Sequence, residues 1–173
     1  AKKKKPVLIA TGASSLEDVA RAVKEIMKYN KKIVLMQCNT NYTADNANHK
    51  FLNLKVLEQF KKKFKNKVIL GLSDHTAGHN SVLGAVAMGA RVVEKHFTDD
   101  NKRKGPDHKF SMNTKTWKAM VDETRLLENS LGDGYKKIEK NEQDAVIVQR
   151  RSIRAAKKLF KNEKDIDKKN IEE

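Results

Sequence analysis

Apolar residues along this chain fall into short blocks whose period changes in a regular way. Pro6–Thr11 is a near-continuous apolar run of the kind that fills a buried strand, and Gly12 marks a turn after it. Leu16, Val19, Ala20, Val23, Ile26 and Met27 then recur at helical spacing, and Ser14 with Glu17 three residues on reads as a capping box. Ile33–Met36 is the second strand, Asn39–Asn48 a polar loop, and Leu52–Phe64 the second helix. Val68–Leu72, Ser81–Met88, Arg91–Phe97 and Thr114–Leu131 continue as strand, helix, strand and helix, with Gly105-Pro106 in the long loop before the last. Four strand–helix units in strict alternation predict α/β architecture with a parallel sheet, because each parallel return needs a crossover helix. After Gly132-Asp133-Gly134, Tyr135–Ala145 is polar and irregular. Val146–Val148 and Ser152–Ala156 are expected as short extended pieces, and Lys161–Glu173 has too little apolar content to fold alone.

Ligands of parallel α/β sheets bind at the carboxyl ends of the strands. Every such end is polar here: Thr11-Gly12, then Gln37 to Tyr42, then Ser73 to Thr76, then Glu94 to His96. His75 and His96 are 21 residues apart, one helix plus its turns, so they stand on neighbouring strand ends as a candidate imidazole pair for one divalent ion. His49, His79 and His108 read as loop residues. Gly105–His108 sits in a loop suited to covering the mouth of a barrel, where Asp107 could accept hydrogen bonds from substrate hydroxyls and Lys102–Lys104 could attract an anion. Cys38, at the end of a buried strand, reads as packing rather than as a nucleophile. The side chain of Lys95 should point away from those of Glu94 and His96.

Composition narrows the partners. Of 173 residues 38% are hydrophobic, enough for one ordinary core. The net charge of +15 raises nucleic acid, an anionic surface or an anionic substrate. Only seven of the 37 basic residues are Arg, and aromatics are not interleaved with them on one face, so the charge reads as a solvated Lys-rich surface and no nucleic-acid partner is expected. No apolar run approaches the roughly 18 residues of a membrane span, and no membrane partner is expected. A single cysteine, Cys38, excludes an intramolecular disulfide and suits a reducing compartment, so a cytoplasmic location is expected. The chain begins at Ala1 and moves straight into a strand, as a piece of a longer protein would.

Gly71–Thr76, Glu94–Phe97, Gly105–His108 with Phe110-Ser111, and Arg150–Ser152, in this order, resemble the sialic acid synthase family, the enzymes of N-acetylneuraminate and related nonulosonates such as legionaminate and pseudaminate. The resemblance runs from about Pro6 to the end. It implies that residues 1–134 are the second half of a TIM-type (βα)8 barrel. Residues 135–173 would be a linker and the truncated start of an antifreeze-like domain, entered at Arg150–Ile153. It implies a homodimeric transferase that condenses phosphoenolpyruvate with an N-acylated mannosamine-type sugar and releases phosphate by C–O cleavage, with Mn2+ or Mg2+. By motif, His75 and His96 are the metal ligands. Ser73, Asn39 and Thr40 fall where phosphoenolpyruvate is held, Ser15 near its phosphate, and Tyr42, Glu94 and Asp107 at sugar-facing or catalytic positions. The lysines for phosphoenolpyruvate would lie in the family's first half, so the fragment alone is expected to be inactive. Where many relatives read His-Cys-Thr-Ser-x-Tyr-Pro, this chain reads Gln37 to Thr43 as Gln-Cys-Asn-Thr-Asn-Tyr-Thr. The alternative reading is a non-catalytic half-barrel that binds an anion or a sugar.

Overall fold

In the computed structural model, which describes residues 2–43, 45–152, 154–155 and 171–172, the first apolar run forms strand β1 (Val7–Ala10). There follow α1 (Leu16–Met27), β2 (Ile33–Cys38), a 3-10 turn (Asn46–Asn48) that runs into α2 (His49–Leu52), α3 (Val56–Phe64), β3 (Ile69–Asp74), α4 (Asn80–Ala87), β4 (Val92–Lys95) and α5 (Thr114–Leu131). The sheet has the order β1-β2-β3-β4 with every pair parallel. The predicted α/β class and its parallel (βα) units are therefore observed.

Several boundaries move, each for a local reason. The capping box of α1 is Ser15 with Asp18 rather than Ser14 with Glu17: the Ser15 hydroxyl accepts from the Asp18 amide at 3.2 Å and the Asp18 carboxylate accepts from the Ser15 amide at 3.1 Å. The expected helix over Leu52–Phe64 is broken by Asn53, which is left-handed at φ 49°, and α2 begins three residues before Leu52. Gln37 secures that break by donating Nε2 to the Leu52 carbonyl at 2.9 Å. Strand β3 runs on to Asp74, because Ser73 and Asp74 pair with Glu94 and Lys95 of β4. Strand β4 is shorter than Arg91–Phe97, and Phe97 instead makes an isolated bridge to Met112.

The sheet is sided. Ile33, Leu35, Leu70 and Leu72 face the helices and pack with Val19 and Val23 of α1, Leu57 and Phe60 of α3, Val82 of α4 and Met120 of α5. The register puts Leu8, Val34 and Ile69, then Ala10, Met36, Gly71 and Val92, in two rows on the other face. Leu8 and Ile69 are half-exposed there. Gly71 is required in its row, since a Cβ would lie 2.8 Å from the Val92 carbonyl oxygen and 2.9 Å from Met36 Cγ.

One charged group interrupts the apolar contact between sheet and helices. Lys95 Nζ donates to Asp74 Oδ2 at 2.7 Å and to the Thr76 carbonyl at 2.7 Å, with side chains 1% and 0% exposed for Lys95 and Asp74. The Thr76 amide and hydroxyl donate to Asp74 Oδ1 at 2.9 and 2.8 Å, and the Ser81 hydroxyl donates to Oδ2. Burial by itself would raise the Asp74 carboxyl. The charge and hydrogen bond of Lys95, with the Ser81 and Thr76 bonds, outweigh it and hold the group below the usual carboxylate range.

The chain divides into two compact units, Ala1–Asp133 and Gly134–Glu173. In the second, Val146–Val148 lies inside a helix, α6 (Gln143–Gln149), rather than an extended piece. The Glu139/Glu142 capping box and the helix-compatible Gln143, Asp144 and Ala145 lead the β-branched residues into a helical turn. Arg154–Ala155 (β5) pairs antiparallel with Ile171–Glu172 (β6). Ile153 and Ala156 of the expected extended piece lie outside the described residues, as does Lys161–Glu173 except for β6. No described helix is long and apolar enough to cross a membrane.

Two outcomes are expected. Lys95→Met strands the buried Asp74 carboxylate and should cost about 3–5 kcal/mol in denaturant titrations at neutral pH. Because the folded carboxyl titrates below its unfolded value of about 3.9, its stabilising contribution is complete above that value and is lost as pH falls through the folded one. Denaturation between pH 5 and about 2 should therefore show wild type losing stability relative to Asp74→Asn/Lys95→Met.

Candidate functional site

Cys38 pairs with Ser73 and Ser73 with Glu94, so these three side chains stand in a row on the face away from the helices. Thr40, His75 and His96 come two residues later and form the next row outward, at the carboxyl end of the sheet. The Ser73 hydroxyl donates to Glu94 Oε2 at 2.7 Å. The rings of His75 and His96 meet edge to face with centroids 5.1 Å apart. Tyr42 lies over His75 at 4.2 Å, and Phe110 stands 5.1 Å from His96. The structure thus brings Ser73, His75, Glu94 and His96 together in two adjoining rows, with Tyr42 over His75.

Each imidazole has an oxygen beside Nδ1, a hydrogen bond at His75 and a carboxylate contact at His96. His75, only 5% exposed, holds Nδ1 at 2.7 Å from the Asn39 carbonyl oxygen, which can only accept, so Nδ1 carries the proton and Nε2 is the nitrogen open to a ligand. His96 Nδ1 lies 3.3 Å from Asp107 Oδ2. Main-chain or carboxylate acceptors at one ring nitrogen are what a histidine that binds a metal through the other requires. Among the described residues no group of three or more His, Cys, Asp and Glu side chains is arranged to hold a metal ion. The residues at the strand ends that could hold an ion are the two imidazoles, His75 through Nε2 and His96 beside it.

Asp107 reaches His96 because its loop is folded back on the strand end. The Met112 amide donates to the His96 carbonyl and the Thr98 amide to the Met112 carbonyl, each at 2.8 Å. Asn101 Nδ2 donates to the His108 and Ser111 carbonyls at 2.8 Å, tying the loop across its middle. Gly105 is left-handed at φ +153°, and a Cβ there would meet the His108 ring at 2.8 Å. Asp107, expected to face a sugar, lies against His96. Phe110, 3% exposed, was given no role by sequence reasoning although it closes the ring cluster. Its signal was that it is the one large apolar side chain between Thr98 and Ser111.

The remaining predicted residues are held elsewhere. The Ser15 hydroxyl serves the capping box, and Ser14 rather than Ser15 lines the cleft of about 430 Å³ that also takes in Thr11, Gln37 and Asn39. Asn39 donates Nδ2 to the Phe51 carbonyl at 3.2 Å and accepts from the Asn41 amide at 3.0 Å, so its side chain shapes the loop. Thr40 lines an open cleft of about 520 Å³ with Asn39, Tyr42 and Phe51. His79 pairs with Glu123 at 2.7 Å and His108 with the Thr98 hydroxyl at 2.7 Å. Cys38 is buried, and burial, aided by the Glu94 and Asp74 charges, pushes its thiol up despite a Ser73 bond.

Four parallel strands with a histidine pair and a carboxylate at their carboxyl ends make this an α/β half-barrel of the TIM type. The model of the NeuB family matches residues 1–136, and the chain belongs to that family. It is 38% identical over 166 residues to N,N'-diacetyllegionaminic acid synthase of Campylobacter jejuni, covering 94% of this chain and 48% of that protein. To human N-acetylneuraminate-9-phosphate synthase it is 30% identical over 138 residues, covering 80% and 37%. The crystal structure of spore coat polysaccharide biosynthesis protein SpsE from Bacillus subtilis superposes with a TM-score of 0.71 at 31% identity, covering 80% of this chain and 38% of that one. That of N-acetylneuraminic acid synthetase from Leptospira borgpetersenii, in complex with citrate, gives 0.71 at 29%, covering 83% and 48%. The chain spans about half the length of the curated synthases from Campylobacter that it matches.

Cys38 provides a check on this packing. Iodoacetamide at neutral pH should leave it unmodified in the folded protein and label it fully in denaturant, as read by intact mass.

Proposed function

We propose that this chain supplies the metal-binding side of a nonulosonic acid synthase, which joins phosphoenolpyruvate to the open-chain aldehyde of an N-acylated mannosamine-type sugar. The observation that carries the reading is the His75–His96 pair, with His75 held through Nδ1 and Asp107 against His96, beside Glu94 on adjacent strand ends. In the reaction, C3 of phosphoenolpyruvate bonds to the aldehyde carbon, water adds at C2, and the C2–O bond to phosphate breaks. The names of the relatives support a synthase of this class, and the acceptor sugar is left to the assay.

Nε2 of His75 and His96 would hold the ion, Mn2+ or Mg2+, whose Lewis acidity polarises the aldehyde. Glu94, fixed by the Ser73 hydroxyl, takes a proton from the water that adds at C2. Asp107 keeps His96 turned toward the ion. Tyr42 covers His75 and limits water on that side. Ser73 and Thr40, with the turns at Ser15 and Asn39, border the region assigned to phosphoenolpyruvate.

The test is phosphate release by the full-length protein with phosphoenolpyruvate, Mn2+ or Mg2+, and a panel of N-acylated aminosugars. His96→Ala should lower kcat steeply, and added Mn2+ should recover part of it. Asp107→Ala should weaken Mn2+ binding by about 10- to 100-fold, as loss of a group that orients a ligand does. No phosphate release with any sugar would favour the alternative, a non-catalytic half-barrel.

A further inference from the structure

The mechanism leaves one charged group unused. Asp74 and Lys95 sit on the helix-facing side of the sheet, directly behind the site, and each immediately precedes one of the histidines in the chain. Side chains alternate along a strand, so Asp74 and His75 point to opposite faces, as do Lys95 and His96. The network grips the main chain on both sides of His75: Asp74 is in β3, and the Thr76 amide, hydroxyl and carbonyl are all engaged by Asp74 and Lys95. It grips β4 one residue before His96. Ser81 ties the same carboxylate to the start of α4.

Strand pairing ends at Asp74 and Lys95, so His75 and His96 lie beyond the last rung of the β3–β4 ladder. Something other than that ladder must fix their spacing. The bond from Lys95 Nζ to the Thr76 carbonyl crosses from β4 to the chain after β3 and closes a ring of contacts around His75. Resting on the metal reading of the site, we infer that Asp74 and Lys95 are positioning residues that set the distance between His75 and His96 from behind the sheet. A buried ion pair is weak evidence for added stability, because an apolar pair of similar volume is often as stable. Its value here lies in geometry: one ammonium and one carboxylate bond the Thr76 amide and carbonyl, two main-chain groups that a nonpolar contact would leave free to slide.

The test is Asp74→Asn/Lys95→Met in the full-length protein. Asn keeps the acceptor for Thr76 within the same loop, and Met fills the space of the lysine stem. The change removes both charges and the cross-strand link, and with them the carboxylate oxygen that accepts from the Ser81 hydroxyl. We expect a folded protein whose Mn2+ dissociation constant, from electron paramagnetic resonance titration, rises about tenfold, with kcat falling more than the sugar KM rises. Its crystal structure should show the His75–His96 separation changed from 5.1 Å or the His75–Asn39 bond broken. Thr76→Val, which deletes only the hydroxyl bonds, should move Mn2+ affinity in the same direction by a smaller factor, and it decides the matter if the double variant does not fold. Folded variants with wild-type Mn2+ affinity and an unmoved histidine pair would overturn the inference. Wild-type protein that binds no Mn2+ would sink the metal reading instead, and the ring separation in the variants then judges the positioning role by itself.

Discussion

The mouth of this sheet depends on the register between β3 and β4, in which Ser73 stands beside Glu94 and Asp74 beside Lys95. Because side chains alternate with a period of two, that register sorts seven functional groups, from Ser73–Thr76 and Glu94–His96, into two sets. Ser73, His75, Glu94 and His96 face the open side, while Asp74, Thr76 and Lys95 face the helices. A slip of one residue would exchange the sets, placing ammonium and carboxylate in the cleft and the imidazoles against α4. The hydrogen bonds that satisfy Asp74 and Lys95 exist only in the observed register, so the buried charges also select it. Gly71, pressed between Met36 and the Val92 carbonyl one row below, admits the close strand approach that this pairing needs.

Behind this arrangement lies a division of labour between the faces. The helix side supplies cohesion through Leu35, Leu57, Leu72 and Val82, all but inaccessible to water. The other side carries chemistry at its upper edge and apolar residues below it. Rings rather than aliphatic chains surround the histidines: Tyr42 and Phe110 come from loops after different strands and meet over the pair. Such a cluster restricts ring rotation while leaving the outward nitrogens open, which aliphatic packing of equal area would do less selectively.

Much of this was legible in the sequence, for reasons that can be named. Alternation of strand and helix periods was clear because each strand is a dense apolar run with turn residues on both sides. The histidine pair was legible because both residues follow such runs. Lys95 was read correctly as pointing away from Glu94 and His96, since strand periodicity is strict. What escaped was set by groups without a sequence signature. The cap moved from Ser14 to Ser15 because either serine has an acid three residues on, and only backbone angles choose between them. The break at Asn53 depends on a single left-handed residue. Helix α6 was mistaken for extended chain because Val146–Val148 is β-branched, while the turn before it carries the capping contacts. The contact of Asp107 with His96 and the place of Phe110 in the ring cluster required the folding of a long loop about Asn101, a tertiary event that spacing does not encode.

The hold on His75 has a consequence for how this loop can vary among relatives. The acceptor at its Nδ1 is the carbonyl of residue 39, a main-chain atom that every amino acid carries. Selection for a correctly turned imidazole therefore acts on the path of the backbone and not on the identity of the side chain at that position. Side chains from Gln37 to Thr43 can be exchanged without changing the tautomer of His75, provided the backbone keeps its path. Residue-by-residue comparison of this loop would register divergence at a place where the chemistry had stayed the same.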